Sequence, residues 1–234
     1  CILFDIVIKY TEKDFGADKI IENYKSEYDL LIVCGGDGTL NQAINALTKL
    51  NKDVSVSFIP IGTTNDFART LNLPKSGLEI AQNIINSKAL QVDTGVFNDK
   101  YFNSVASFGA FSEMVYNIDK KTKKKSGLFS YILNCIKQLR NIRSYEIKVH
   151  FDNEIIEDEF IYCGISNSMS IGGLKWFKST EMSLSDGLFE VVLIKKPESI
   201  FGYIGIIKSI LSKDYSEDYQ ALYHEHMAKV LDER

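Results

Sequence analysis

The feature that most constrains the fold is an apolar run that ends in a glycine-rich turn and continues as a helix. Residues 30–34 are apolar without alternation, which predicts a β-strand buried on both faces. Residues 35–39 follow as Gly-Gly-Asp-Gly-Thr, and Ala43 and Leu47 then lie at helical spacing. Three glycines in four residues allow backbone angles that other residues resist, so successive N–H groups can converge on an anion. The helix N-terminus that follows also favours an anion.

The polar residues of this turn have several chemical roles open to them. Asp37 does not sit comfortably against a phosphate, so we expect it to act through bound Mg²⁺ or to fix the loop by accepting backbone hydrogen bonds. Thr39 can cap the helix or bind a phosphate oxygen, and Asn41 can do either one turn further on. The alternative is a turn whose glycines only make the corner, because single glycine-rich turns often bind nothing.

A second segment repeats the same order of features. Residues 58–69 read Phe-Ile-Pro-Ile-Gly-Thr-Thr-Asn-Asp-Phe-Ala-Arg, that is, an apolar strand, a glycine turn with hydroxyl and Asn/Asp side chains, and a helix start. Turns that follow successive strands of a parallel sheet lie side by side at its carboxyl edge, where open α/β sheets bind ligands. The two segments together predict one cleft.

Composition limits the class of protein. The chain has 234 residues, of which 45% are hydrophobic, enough for a sizeable core. The net charge of −4 gives no reason to expect nucleic-acid binding. Four cysteines without CxxC spacing are typical of reduced thiols in a cytosol, and no apolar run reaches the length of a spanning helix. We therefore expect a cytoplasmic protein that touches membranes only from outside.

The pattern along the chain predicts two domains with a boundary near residue 90. Residues 1–90 alternate strands and helices, which predicts a doubly wound α/β nucleotide-binding domain. Its predicted strands are 1–8, 29–34 and 54–59, and its predicted helices are 14–26, 41–50, 66–71 and 77–86. Residues 91–234 are rich in short β-runs, which predicts an antiparallel β-sandwich with a helical insertion near 110–143. The predicted strands here are 90–96, 100–108, 144–151, 154–165 and 188–195.

The pair Gly-Gly-Asp-Gly-Thr-Leu-Asn (35–41) and Pro-Ile-Gly-Thr-Thr-Asn-Asp-Phe-Ala-Arg (60–69) resembles the diacylglycerol kinase catalytic-domain family. These are soluble bacterial lipid kinases related to sphingosine and ceramide kinases. The resemblance implies an ATP- and Mg²⁺-dependent enzyme that phosphorylates diacylglycerol, or a related lipid alcohol, to phosphatidic acid. Two alternatives stay open. One is an NAD kinase-like enzyme, since those carry similar loops, and the other is a catalytically weak, nucleotide-binding regulatory protein at a membrane.

The resemblance also implies the residues of the nucleotide site. In this interpretation Asp37 acts on catalytic Mg²⁺, the first turn cradles the triphosphate, and the second turn lines the opposite wall. Thr11 follows the first predicted strand, where the family has a threonine at the nucleotide site. The expected nucleotide-binding residues are Thr11, Gly35, Gly36, Asp37, Gly38, Thr39, Leu40, Asn41, Gly62, Thr63, Asn65 and Asp66.

Three further expectations come from the resemblance. The family holds a structural Mg²⁺ at an Asp-Gly turn, which implies ligands from Ser183, Asp186 and Leu188. It places its general base in a later Asp-Gly-Glu turn, and here Asp232 and Glu233 resemble that turn without its glycine, so Glu233 is the candidate base. Its lipid substrate stays in the bilayer, so the basic run 120–125 is a candidate membrane contact, although charge runs are more often only solvated. A homodimer is also expected.

Overall fold

The computed structural model describes residues 4–109, 143–151, 155–171, 174–175, 183–199, 201–206 and 222–228. The expectations for the basic run 120–125, for Asp232 and for Glu233 lie outside these residues, as does the predicted helical insertion apart from residue 143. Among the helices that the structure describes, none has both the length and the apolar character needed to cross a bilayer.

The first part of the chain alternates helices with parallel strands, as predicted. The elements are α1 (Ala17–Asn23), β1 (Leu30–Gly35), α2 (Asp37–Lys49), β2 (Ser55–Pro60), α3 (Asp66–Thr70) and α4 (Gly77–Asn86). β1 and β2 pair in parallel with Gly35 opposite Pro60, so both strands end at the same edge. Ile21, Val33, Leu40 and Phe58 belong to one buried cluster that joins α1 and α2 to the two strands.

Two expectations for the strands were wrong. β1 is not buried on both faces, because Val33 is buried whereas Ile32 and Cys34 are exposed. Side chains alternate across a strand, and in the described part of the chain α1 and α2 cover only the face that carries Val33. Residues 4–8, the described part of the strand predicted over 1–8, are exposed and join no sheet. A strand needs a hydrogen-bonded neighbour, and the described residues supply none there.

The second part is built on a five-stranded antiparallel sheet. Its strands are β5 (Val105–Gly109), β6 (Tyr145–His150), β7 (Ile155–Ser166), β10 (Leu188–Lys195) and β11 (Leu222–Ala228), in the order β11-β10-β7-β5 with β6 also on β7. Two hairpins lie outside it: β3 (Gly95–Phe97) with β4 (Lys100–Phe102), and β8 (Ser170–Ile171) with β9 (Leu174–Lys175). Residues 201–206 are helical.

The central strand of this sheet is β7, 12 residues long. Its first half pairs with β6 and its second half with β5 and β10, and Phe160, Val191 and Leu193 form the sheet's buried core. The run 100–108, predicted as one strand, is divided at residues 103 and 104, because β4 pairs with β3 whereas β5 pairs with β7. The predicted fold class, α/β followed by antiparallel β, is confirmed, and the domain boundary near residue 90 stays a prediction.

Candidate functional site

The two glycine turns are in backbone contact at the carboxyl edge of β1 and β2. The N–H groups of Ile61 and Gly62 both donate to the Gly35 carbonyl, at 2.8 and 3.2 Å. A Cβ added to Gly62 would lie 2.5 Å from the Cα of Gly36, so a larger residue would push the turns apart. The turns are therefore neighbours, as the repeated pattern predicted.

The glycines serve this close approach, and the expectation that they adopt unusual backbone angles was wrong. Among the described glycines only Gly109 and Gly187 have a positive φ, and both lie outside the two turns. Gly35 is needed for a packing reason, because an added Cβ would sit 2.6 Å from the Cβ of Thr39. Short distances across a turn cannot be recognised from the number of glycines in it.

Gly38 differs, because the fold does not require a glycine there. It lies in the first turn of α2, has no positive φ, and an added Cβ would meet no atom within 4 Å. Glycine inside a helix costs about 1 kcal/mol relative to alanine. The helix geometry also leaves the N–H groups of Asp37 and Gly38 without an intrahelical acceptor. Open space therefore lies beside free amide donors, an arrangement suited to a phosphate.

The next residues of α2 are committed to the fold. The N–H groups of Thr39 and Leu40 donate to the Gly36 carbonyl at 3.0 and 3.1 Å. The Leu40 side chain is 2% exposed and lies in the core. Leu40 thus packs beneath the site with its side chain in the core, and its expected contact with the nucleotide stays a prediction. The side-chain oxygen of Asn41 is buried and has no hydrogen-bond partner among the described residues.

Asp37 in the first turn holds the second turn. Its carboxylate accepts hydrogen bonds from the Thr64 hydroxyl at 3.2 Å and from the N–H groups of Asp66 and Phe67 at 3.1 Å each. Those two amides open α3, so Asp37 caps that helix from across the cleft. Of the two roles expected for Asp37, fixing a loop is present in the structure, and the metal role stays a prediction. The contribution of Thr64 was missed in the sequence.

Asn65 shapes the second turn. It adopts the left-handed conformation with φ of 48°, which asparagine tolerates better than most residues. Its side-chain oxygen accepts from the Gly62 N–H at 2.9 Å, and its amide donates to the Gly62 carbonyl at 3.0 Å. The Asn65 side chain therefore links the end of the second turn to its start at Gly62. Thr63, between them, is exposed.

Thr11 lies beside the first turn of α2. With Thr39 and Gln42 it lines a hollow of about 340 Å³ whose other walls are residues 12–14, 16, 18 and 19. The Gln42 side chain accepts from the Ala17 N–H at 3.2 Å and so fixes the start of α1 against α2. The hollow is lined by polar side chains, and the expected role of Thr11 at a nucleotide stays a prediction.

The Asp-Gly turn before β10 is tied to a carboxylate that the sequence did not indicate. The Gly187 N–H donates to Asp93 at 2.6 Å, and the Asp93 N–H donates to the Leu184 carbonyl at 2.7 Å. Asp186 accepts from the Leu188 N–H at 3.0 Å. No group of three His, Cys, Asp or Glu side chains that could hold a metal is found among the described residues. The oxygen-rich turn still fits a hard cation that takes carbonyls, water and one carboxylate.

Glu190 lies in the buried part of β10, close to this turn. The side chain is 6% exposed, and burial raises its pKa to about 7, with a further increase from the charge of Asp186. A carboxyl that is partly protonated near neutrality follows from its surroundings. In the sequence Glu190 is one polar residue in an apolar strand, and nothing marked it as buried.

The chain is similar in sequence and in structure to known proteins. The family model for the diacylglycerol kinase catalytic domain matches residues 3–97. The chain is 32% identical over 198 residues to a diacylglycerol kinase of Bacillus subtilis, covering 84% of this chain and 65% of the relative. A Staphylococcus carnosus diacylglycerol kinase is 32% identical over 185 residues, covering 77% and 60%. The chain thus spans less than two thirds of the length of these curated relatives. A crystal structure of a Bacillus anthracis diacylglycerol kinase superposes with a TM-score of 0.67 at 26% identity, covering 93% of this chain and 70% of that one.

Proposed function

The chain belongs to the diacylglycerol kinase catalytic-domain family, and from this premise we propose that it is an ATP-dependent lipid kinase. The proposed acceptor is diacylglycerol and the product is phosphatidic acid. The lipid hydroxyl oxygen forms a bond to the γ-phosphorus of ATP while the bond from that phosphorus to the β,γ-bridging oxygen breaks. ADP leaves, and the hydroxyl proton passes to a base. Catalysis of this kind depends mainly on positioning and on charge stabilisation.

The observation that carries the proposal is the open space at Gly38. A glycine that the packing does not need, in the first turn of a helix of 13 residues, leaves room for a phosphate to approach the free amides of α2. The second turn faces the same place, because Gly36 and Gly62 are in contact. Thr11 extends the site toward a hollow suited to the nucleoside.

In this proposal the cleft residues hold the phosphates and the metal. Mg²⁺, when bound, neutralises charge on the transferring phosphoryl group. Asp37 would contact it through water, since a carboxylate has about four acceptor positions and three donors among the described residues use this one. Thr63, exposed on the second turn, and the Asn65–Gly62 pair would line the far wall.

Two further roles are proposed from the family. Asp186, with the carbonyls of Ser183 and Leu188, would hold a structural Mg²⁺, and the nearby Asp93 would fix the turn that carries them. Glu233 would accept the proton of the lipid hydroxyl. General-base help is worth roughly 10²- to 10⁴-fold in rate, so its loss would leave a weak kinase.

The acceptor places the enzyme at a bilayer. Diacylglycerol does not leave the membrane readily, and the lysines of the 120–125 run would each add about 1 kcal/mol of attraction to an anionic surface. Co-sedimentation with vesicles containing phosphatidylglycerol should decrease when these lysines are replaced by glutamine. Sedimentation velocity would test the expected homodimer.

The acceptor assay tests the proposal directly. Purified full-length protein is incubated with γ-labelled ATP, Mg²⁺ and mixed micelles that contain diacylglycerol, with sphingosine or NAD offered in parallel. We expect labelled phosphatidic acid that disappears when EDTA removes the metal. Label in NADP, or ATP binding without transfer to any acceptor, would instead support the alternatives that the sequence left open.

A further inference from the structure

A group of buried hydroxyls connects α3 to the end of β7. Thr70 is the last residue of α3, and its hydroxyl lies 2.8 Å from that of Ser168 and accepts from the Met169 N–H at 3.1 Å. The Thr70 hydroxyl also donates to the carbonyl of Asp66 at 3.0 Å. Ser168 is fully buried, and Thr70 is 9% exposed. The contact therefore joins the second glycine turn to the segment 166–170 away from solvent.

The same segment holds the carboxylate of Asp66. The Ser170 hydroxyl donates to Asp66 at 2.6 Å, a length typical of a charge-assisted hydrogen bond. Both residues are 5% exposed. The Ser168 hydroxyl lies 2.8 Å from the Thr70 hydroxyl and 3.0 Å from the backbone carbonyl of Ser170, whose own hydroxyl reaches the Asp66 carboxylate. We call Thr70, Ser168, Ser170 and Asp66 the hydroxyl joint.

The segment 166–170 is anchored on its other side to the antiparallel part of the molecule. The Asn167 N–H donates to the Ser104 carbonyl at 2.8 Å, and the Asn167 side chain donates to the Asp93 carbonyl at 3.0 Å. Ser166 donates to the Ser104 carbonyl at 3.2 Å. The segment thus has little freedom to move independently of the sheet.

Directional bonds are the reason for hydroxyls at these positions. A buried polar group costs free energy unless it is hydrogen-bonded, so apolar side chains would fill this space at least as well. What apolar side chains cannot do is fix the orientation of a carboxylate. Asp66 follows Asn65 in the second turn, and its N–H is held by Asp37, so its backbone and its side chain are fixed from opposite sides.

We propose that the hydroxyl joint positions Asp66 for phosphoryl transfer, with Ser170 and Thr70 as positioning residues. The inference deepens the proposed kinase function and rests on it. The joint connects the second turn to the antiparallel sheet through hydrogen bonds. These bonds keep the second turn in one position relative to the nucleotide. Ser170 touches no reacting atom in this proposal and acts only through Asp66.

Ser170→Ala, Thr70→Val and the control Ser166→Ala are compared in the full chain. Ser166 is a matched control because it is also a fully buried serine with hydrogen bonds, but the bonds of its hydroxyl go to the backbone of Ser104 and Ser168 and not to a side chain of the joint. For each variant the kinase kcat and the KM for ATP are measured. Hydrogen exchange is followed at the amides of Asp66 and Phe67, and urea unfolding gives the stability.

We expect Ser170→Ala and Thr70→Val to lower kcat by about 10- to 100-fold, the size of effect that follows from misplacing a group by about 1 Å. The KM for ATP should stay within about twofold of the wild-type value, because the contacts of the first turn remain. Exchange at Asp66 and Phe67 should accelerate in both variants. Ser166→Ala should lose comparable stability with little change in kcat or in exchange at these amides.

Equal losses of kcat in Ser166→Ala and Ser170→Ala would overturn the proposal, because burial alone would then explain them. A rise in KM without a fall in kcat would overturn it as well. If the wild-type protein phosphorylates no lipid, the proposed function fails, and the exchange comparison still decides on the joint. Unchanged exchange at Asp66 and Phe67 in Ser170→Ala would mean that the hydroxyl does not hold the second turn.

Discussion

The carboxylate of Asp37 accepts a hydrogen bond from the N–H of Phe67 at 3.1 Å, across 30 residues of sequence. The first glycine turn therefore determines how the helix after the second turn begins. The contact between Gly36 and Gly62 also holds the two turns together, because their backbones are too close to admit a side chain. The two turns are therefore held together by a side-chain hydrogen bond and by a backbone contact.

Asp37→Ala should destabilise the fold as well as remove activity. The change leaves the N–H groups of Asp66 and Phe67 without their acceptor, and the loss of such a helix cap with a charged acceptor costs about 2–4 kcal/mol. Asp37→Asn keeps one acceptor oxygen and should lose about half as much stability, yet it removes the negative charge that the proposed role on Mg²⁺ requires. Urea unfolding and the lipid phosphorylation assay separate the two effects.

Asp53→Ala is the control for this comparison, because Asp53 is exposed ahead of β2. The urea concentration at the midpoint of its unfolding should equal that of the wild type. Lipid labelling that survives Asp37→Ala at the wild-type rate would show that the catalytic role assigned to Asp37 is wrong.

Gly62→Ala and Gly38→Ala should separate the structural glycine from the ligand-binding one. An added methyl at Gly62 would lie 2.5 Å from the Cα of Gly36, so the turns must separate at a cost of about 1–3 kcal/mol. At Gly38 the methyl meets no atom within 4 Å, so stability should stay unchanged or rise by up to about 1 kcal/mol. The same methyl occupies the proposed phosphate approach, and ATP binding should weaken.

Thermal unfolding and calorimetric ATP titration measure both quantities. ATP affinity equal to that of the wild type in Gly38→Ala would remove the main support for the phosphate site. A Gly62→Ala protein as stable as the wild type would mean that the contact between the turns is not needed.

The sequence predicted the helices and paired strands of residues 14–86 and the meeting of the two turns, because these follow from local pattern. Residues 77–86 and 188–195 form the predicted helix and strand with the same bounds. It did not predict that Asp37 caps α3 or that Ser170 holds Asp66, 104 residues away, because such pairs depend on how distant segments meet. The exposure of Ile32 was mispredicted for the same reason, since a run of apolar residues does not say which faces of a strand are covered.

The two described free cysteines should differ in reactivity. Cys34 is exposed at the end of β1, whereas Cys163 lies in the core of the sheet, where burial raises its pKa to about 12. The thiolate is the reactive form, so Cys163 should resist iodoacetamide at pH 8 until the protein unfolds, and Cys34 should be alkylated in the native state. Peptide mass spectrometry with and without urea measures this. Rapid native labelling of Cys163 would mean that the sheet opens far more often than its packing implies.

Glu190 should make stability depend on pH near neutrality. Its pKa in the folded protein is about 7, against an ordinary value of 4.5, so between these two values the native state holds a proton that the unfolded state has lost. The stabilisation is complete below about pH 4.5 and is lost as the pH rises through 7. The free energy of unfolding should therefore fall over this range, by about 3 kcal/mol, and should not change further through this group at higher pH.

Glu190→Gln tests the assignment, because the amide has nearly the same shape and does not ionise. Its free energy of unfolding should vary less between pH 5 and pH 8 than that of the wild type, and above pH 7 the variant should be the more stable protein. Glu157→Gln is the matched control, since Glu157 is an exposed carboxylate whose pKa is lowered by its hydrogen bond to Lys148. The control should keep the wild-type slope over this range. If Glu190→Gln keeps that slope as well, the pH dependence arises from another group, and the buried carboxyl of β10 is ionised in the native protein throughout this range.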